Sequence, residues 1–156
     1  MKYYSFSTII SLCSLLTSFY GQTVRGDASP HKIDVTVAFE ADDDASRNFL
    51  LTQLAPLYNA LFDVINLELA PFGRASIDII NRTVECFHGQ GECVAHAFEQ
   101  CAMLEYPNPE EYLKFISLVS MLPSGFMNQK IAYEKIAALS ELDAKVIEDC
   151  ALDIGE

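Results

Sequence analysis

Apolar and polar residues alternate strictly from position 33 to 40. Ile33, Val35, Val37 and Phe39 fall on one side, and Asp34, Thr36 and Glu40 fall on the other. A period of two is that of a β-strand, so this stretch predicts a strand with one strongly apolar face. From about Ser46 to Asp63 the period lengthens, and Leu50, Leu54, Leu57 and Leu61 recur every three or four residues. That is the spacing of a buried helix face. Pro56 predicts a kink in it, because its ring removes one N–H and crowds the preceding turn. Alternation returns in "INLELAPFG" through Ile65, Leu67 and Leu69, until Pro71 and Gly73 stop it. Strand, helix, strand in this order predicts a βαβ unit with two parallel strands.

Residues 76–87 predict one or two more short extended pieces, broken near Asn81. From about residue 92 to 154 the pattern is helical. "NPEEYLKFISLVSML" offers Asn108 as N-cap, Pro109 at the first helical position, two glutamates in the first turn and a Tyr112, Ile116, Val119 stripe. "SELDAKVIEDC" places Ser140 and Asp143 at capping-box spacing and aligns Leu142, Val146 and Cys150. A βαβ core with at most one hairpin gives a small sheet with an exposed edge, which suggests a truncated version of a larger fold.

The 156 residues suffice for one domain, and a hydrophobic share of 51% can fill its core. The first 21 residues, "MKYYSFSTIISLCSLLTSFYG", carry one Lys and then an apolar run ending in small and polar residues. This predicts a signal peptide over 1–21, with cleavage as late as Gly26, and hence a soluble mature chain with no membrane span. The formal charge of −12 becomes one unit more negative when Lys2 leaves with the leader. A chain this acidic is repelled by phosphate backbones and anionic bilayers, so neither nucleic acid nor membrane is an expected partner.

A secretory route also changes the meaning of the cysteines. Cys13 leaves with the leader, and Cys86, Cys93, Cys101 and Cys150 remain. Four cysteines in an oxidising compartment suggest two disulfides, with three possible connectivities. Within "CFHGQGEC" at 86–93, Gly89 and Gly91 let the chain turn so that Cys86 and Cys93 can close a short loop, with His88 and His96 as loop residues. Zinc held by Cys86, His88, Cys93 and His96 is the competing reading. A catalytic dithiol is disfavoured here: a redox cysteine needs a helix N-terminus or a cationic neighbour, and this loop carries Glu85 and Glu92. "NRT" at 81–83 is an N-glycosylation acceptor that would put Asn81 on the surface.

"CFHGQGEC" resembles the CQHGxxEC signature of the gamma-interferon-inducible lysosomal thiol reductase (GILT) family, with Phe87 in place of the family's Gln. Cys86, His88, Gly89, Glu92 and Cys93 carry the match. "LELAPFGRA" is similar to the family's strand ending in Pro-Tyr-Gly, the sequon lies between the two, and Cys101 and Cys150 follow in the helical region. The resemblance covers residues 33–156 as one domain. It implies an α/β, thioredoxin-like core with a helical insertion, reducing protein disulfides without a cofactor through a CxxC pair at the start of the first helix. There the helix macrodipole stabilises the attacking thiolate. It also implies a secreted or lysosomal protein acting on disulfide-containing or unfolded polypeptides. The disulfides it suggests are Cys86 with Cys93, and Cys101 with Cys150.

The family's CxxC falls on Asp43-Asp44-Ala45-Ser46, so both sulfurs are missing at Asp43 and Ser46. A carboxylate cannot form a mixed disulfide, and a hydroxyl cannot resolve one. The resemblance therefore predicts a reductase scaffold that has lost its chemistry. The alternatives are a secreted polypeptide-binding glycoprotein and a fragment of a larger gene product. Asp42, Asp43 and Asp44 are expected as caps and first-turn anions of the helix, because three consecutive aspartates cannot all face one calcium ion. No metal is expected.

Overall fold

A computed structural model describes residues 31–81 and 83–154, apart from the side chain of Ile154. The predicted signal peptide lies outside the described residues. So does Arg82, the middle residue of the sequon. Among the described residues, no helix is long and apolar enough to cross a membrane.

The chain runs β1 (Ile33–Ala38), α1 (Asp44–Phe49), α2 (Ala55–Leu61), β2 (Ile65–Ala70), β3 (Ser76–Asp78), β4 (Thr83–Glu85), α3 (Gln90–Glu105), α4 (Pro109–Val119), α5 (Lys130–Leu139) and α6 (Ala144–Ile154). β1 and β2 are parallel, with Ile33 opposite Ile65 and Val37 opposite Leu69. β3 and β4 form a separate antiparallel hairpin. This is the α/β fold the sequence implies, compatible with a thioredoxin-like core: a βαβ unit carries the small sheet, and four helices follow it.

Strand β2 buries Ile65, Leu67 and Leu69, as its alternation requires. β1 differs from expectation. Its apolar side is only partly covered: Val35 and Val37 are half-buried, and Ile33 is 65% exposed. The reason is position, since among the described residues β1 has a paired neighbour on one edge only.

Between α1 and α2 the chain makes one π-helical turn, Leu50–Leu54, in which the Ala55 N–H reaches back to the Leu50 carbonyl. The Pro56 disturbance is thus taken up as a wider turn, which is how helices commonly absorb an irregularity. The extra residue changes the phase of α2. Leu50 and Leu54 are buried, but Tyr58 takes the next inward position and Leu57 and Leu61 face out.

The helical half follows its caps. The Asn108 side chain accepts from the Glu110 N–H, and Tyr112, Ile116 and Val119 are buried. At α6 the cap is Asp143 alone, accepting from the Lys145 N–H. Ser140 instead ends α5, and the buried residue of the first turn of α6 is Ile147, with Val146 turned outward. Starting the helix at Ala144 sets this phase. Cys101, inside α3, is bonded to Cys150, inside α6, across 49 residues.

Candidate functional site

The site forms where the chain leaves the C-terminal end of β1, the usual location of function in open α/β sheets. Asp43 is the N-cap of α1, and its Oδ2 accepts from the Ser46 N–H at 2.7 Å. The Ser46 hydroxyl in turn accepts from the Glu40 N–H at 3.2 Å. The bond from the Ser46 backbone leads the causes that hold the Asp43 carboxyl below its usual pKa. Asp44 stands in the first turn and pairs with Arg47. The positive end of α1 is therefore closed by the chain's own carboxylates.

Directly behind it lies a charge network. Glu40 is buried, and both its oxygens accept from the Arg74 guanidinium. Arg74 also approaches Asp43 Oδ1 at 3.6 Å and lies over the Phe87 ring. His88 Nδ1 sits 2.9 Å from Glu92 Oε1 and 3.5 Å from Glu40 Oε2, and the His88 N–H donates to Glu92 Oε2. The bond to Glu92 is the main reason that the His88 pKa is raised. Burial pushes the Glu92 carboxyl up, but the two bonds from His88 outweigh it and leave the group below its ordinary value.

His96 lies one helical turn past Cys93. It is a buried residue of α3, not a loop residue. Its Nε2 accepts from the Ala41 N–H at 2.9 Å, and its Nδ1 faces Cys86 Sγ at 3.9 Å. Burial depresses its pKa to about 4. Phe72 stacks edge-on against it with centroids 4.6 Å apart, held there by a left-handed backbone (φ 70°) at the end of β2. A phenylalanine rarely adopts that conformation, so the packing must hold it. Three residues farther along α3, Glu99 is fully buried and its carboxyl oxygens have no hydrogen-bond partner among the described residues. Burial raises its pKa well above the usual value.

Cys86 and Cys93 are bonded to each other, with Cα atoms 5.5 Å apart. This overturns the four-ligand zinc reading, since both sulfurs are spent, His88 is turned to Glu92 and His96 Nε2 is occupied. Cys93 lies in the first turn of α3, whose N-cap is Gly89, so a helix N-terminus is present after all. The adjacent Glu92 is engaged by His88.

Oxygens of Glu40 and Asp43 and a nitrogen of His88 lie within 4.8 Å of one another, close enough to suit a cation. The cation already there is the Arg74 guanidinium, whose two bonds to Glu40 would have to be broken for a metal to enter. Asp42, Asp43, Asp44 and His88 also line an open cleft of about 570 Å³. Asn81 is exposed in the β3–β4 turn, and its Nδ2 donates to Asp78 Oδ2 at 2.6 Å.

The sequence brings Asp43, Ser46 and the Cys86–Cys93 loop forward, and the structure joins them through Glu40, Phe72 and Arg74, of which Phe72 and Arg74 lie in "LELAPFGRA" but have no assigned role there. A further signal is Arg74 itself, a basic residue shortly after a strand end in a strongly acidic chain.

Residues 34–135 match the family described as gamma interferon inducible lysosomal thiol reductase (GILT). A gamma-interferon-responsive lysosomal thiol protein of Arabidopsis thaliana is 30% identical over 115 residues, covering 73% of this chain and 48% of that protein. The gamma-interferon-inducible lysosomal thiol reductase of Carassius auratus is 36% identical over 84 residues, covering 53% and 33%. That of Mus musculus is 26% identical over 121 residues, covering 76% and 48%. The chain spans about half or less of the length of these relatives. With a family match over most of the described chain, together with the α/β fold, the chain belongs to the GILT family.

Proposed function

We propose that this protein keeps the polypeptide-contacting end of a thiol reductase scaffold but does not turn over disulfides at the start of α1, and that it acts in the lysosome or outside the cell. One observation carries this reading: Asp43 and Ser46, which stand where the family resemblance places the dithiol, are bonded to each other and fill the cap of α1. Thiol–disulfide exchange requires a thiolate as attacking atom, and neither side chain supplies one. The cleft lined by Asp42, Asp43, Asp44, Arg47 and His88 stays open beside the end of β1, a polar surface of mixed charge that suits an extended polypeptide. Cys86, His88, Gly89, Glu92 and Cys93 support that end of the sheet, and Asn81 is positioned to carry a glycan.

The test is reduction of insulin disulfides by the folded mature protein at pH 5 and pH 7, beside Asp43→Cys/Ser46→Cys. We expect no turnover by the natural chain and measurable turnover by the double variant. Catalytic turnover by the natural chain sinks the proposal.

A further inference from the structure

The α1 cap explains where thiol chemistry is missing, but it leaves unused the arrangement around the second pair of cysteines. His96 is fully buried, and its two ring nitrogens have separate partners. Nε2 accepts a hydrogen bond from the Ala41 N–H, which can only donate. That fixes the neutral tautomer: the proton resides on Nδ1, and the Nδ1–H is directed at Cys86 Sγ, 3.9 Å away. A disulfide sulfur is a poor acceptor, whereas a thiolate is a good one. This buried donor therefore favours the reduced form over the oxidised form. Cys93 has a complementary advantage, since it lies in the first turn of the 16-residue helix α3. A helix N-terminus stabilises a thiolate. Around His96 stand Glu92 and Glu40, which favour its protonation, and His88, which opposes it. Burial outweighs them, so the ring stays a neutral donor across mildly acidic and neutral pH.

We propose that the Cys86–Cys93 disulfide is a reversible exchange site for small thiols, with His96 positioning and supporting the Cys86 thiolate. The thiolate of a small thiol attacks Cys86, the half-buried sulfur, to form a mixed disulfide, and Cys93 leaves as a thiolate in the first turn of α3. A second small thiolate attacks the outer sulfur of that mixed disulfide. The small disulfide departs, and Cys86 leaves as a thiolate facing the Nδ1–H of His96. Two electrons pass from two small thiols to the chain, and both cysteine thiolates then take protons from solvent according to their acidity. The Cys101–Cys150 bond has neither aid, because both cysteines sit in helix interiors.

This site is distinct from the α1 cap, and its exchange is stoichiometric, so the insulin assay reads the two proposals separately. The folded protein is equilibrated with graded glutathione, quenched in acid and alkylated, and each cysteine is quantified by peptide mass. Cys86 and Cys93 are expected to become labelled at a glutathione concentration at least about tenfold below that for Cys101 and Cys150. Equal labelling of all four, or earlier opening of Cys101–Cys150, overturns the proposal. The pH dependence of Cys86 alkylation in the reduced natural chain gives a check that needs no variant. A half-point below about 8.5, the value of a free cysteine, is expected, and one at or above it refutes the role given to His96. In His96→Gln the amide oxygen can keep the bond from Ala41, but no ring N–H reaches the sulfur. That half-point should rise, and an unchanged one again removes His96 from the account.

Discussion

The starts of α1 and α3 meet across one charge network, yet they are built in opposite ways. At α1 a carboxylate occupies the cap: Asp43 accepts from Ser46, and Asp44 adds a second anion to the first turn. At α3 the cap is Gly89, which has no side chain to offer, and the first turn carries a sulfur and a glutamate that serves His88. Both helix ends attract negative charge for the same reason. What differs is whether that charge is fixed in place or can be created by chemistry. At α1 the anion is a carboxylate already in place at neutral pH, while at α3 the glycine cap and the bonded Cys93 bring no charge of their own to the helix end.

The strongest way to probe this difference is to remove the disulfides one at a time. In the chain-entropy view, replacing Cys101 and Cys150 by Ala should cost about 4 kcal/mol, and replacing Cys86 and Cys93 about 2.5 kcal/mol, because the first closes the longer loop. Denaturant melts of the two double variants give the order. A larger loss from the short loop would mean that Cys86–Cys93 is the main staple of the fold.

Next in size is a pH effect confined to the interior of α3. The folded pKa of His96 is depressed, so in the window from about 6.5 down to about 4 only the unfolded chain takes up this proton, and stability falls with pH by up to about 3 kcal/mol. Glu99 has the opposite sign. Its pKa is raised in the fold, so its contribution is retained at low pH and declines as pH rises above about 4.5. Glu99→Gln removes this opposing contribution, and its melting curves between pH 7 and pH 4 should show a steeper acid loss than those of the natural chain. An unchanged slope would show that the two groups do not oppose each other.

The smallest effect separates the two caps directly. Asp43→Ala should cost about 1 kcal/mol by loss of the capping bond. Gly89→Ala should cost a similar amount, roughly 1 to 2 kcal/mol, for a different reason: its backbone lies at φ 97°, where a Cβ is strained even in open space. Acid distinguishes them. The Asp43 contribution is present above about pH 3.8 and is lost as pH falls through its lower folded value, whereas the backbone strain at position 89 does not titrate. Denaturation at pH 6 and at pH 2.5 should therefore show the Asp43→Ala deficit shrinking and the Gly89→Ala deficit persisting.

The parts of this molecule that are legible in the sequence are those whose cause is local. β2 is announced by its alternation, α4 by Asn108 and Pro109, and the start of α1 by its aspartates. Phase is lost where one residue changes the geometry of the next turn. The π turn moves the buried position from Leu57 to Tyr58, and the start of α6 at Ala144 brings Ile147 inward in place of Val146. The site is harder to read because its bonds join distant segments. Glu40 and Arg74 are 34 positions apart, and Ala41 and His96 are 55 apart. No periodicity encodes such pairs. The spacing of His96 from Cys93 suggests a loop ligand set, and only packing shows that its ring is enclosed.

The clasp between His88 and Glu92 has a consequence for the kinetics of the cysteines on either side of it. Two bonds join His88 and Glu92 inside the loop that the Cys86–Cys93 bond also closes. Opening the covalent link does not open this second ring. In the mixed disulfide at Cys86 the Cys93 thiolate is then held close at a high effective concentration, which favours its return onto Cys86 with release of the small thiol over capture by a second protein. Acidification strengthens the clasp, because the raised pKa of His88 keeps its ring charged beside Glu92. In an acidic compartment the loop should therefore keep the two sulfurs together even as protonation of the thiolates slows the exchange itself.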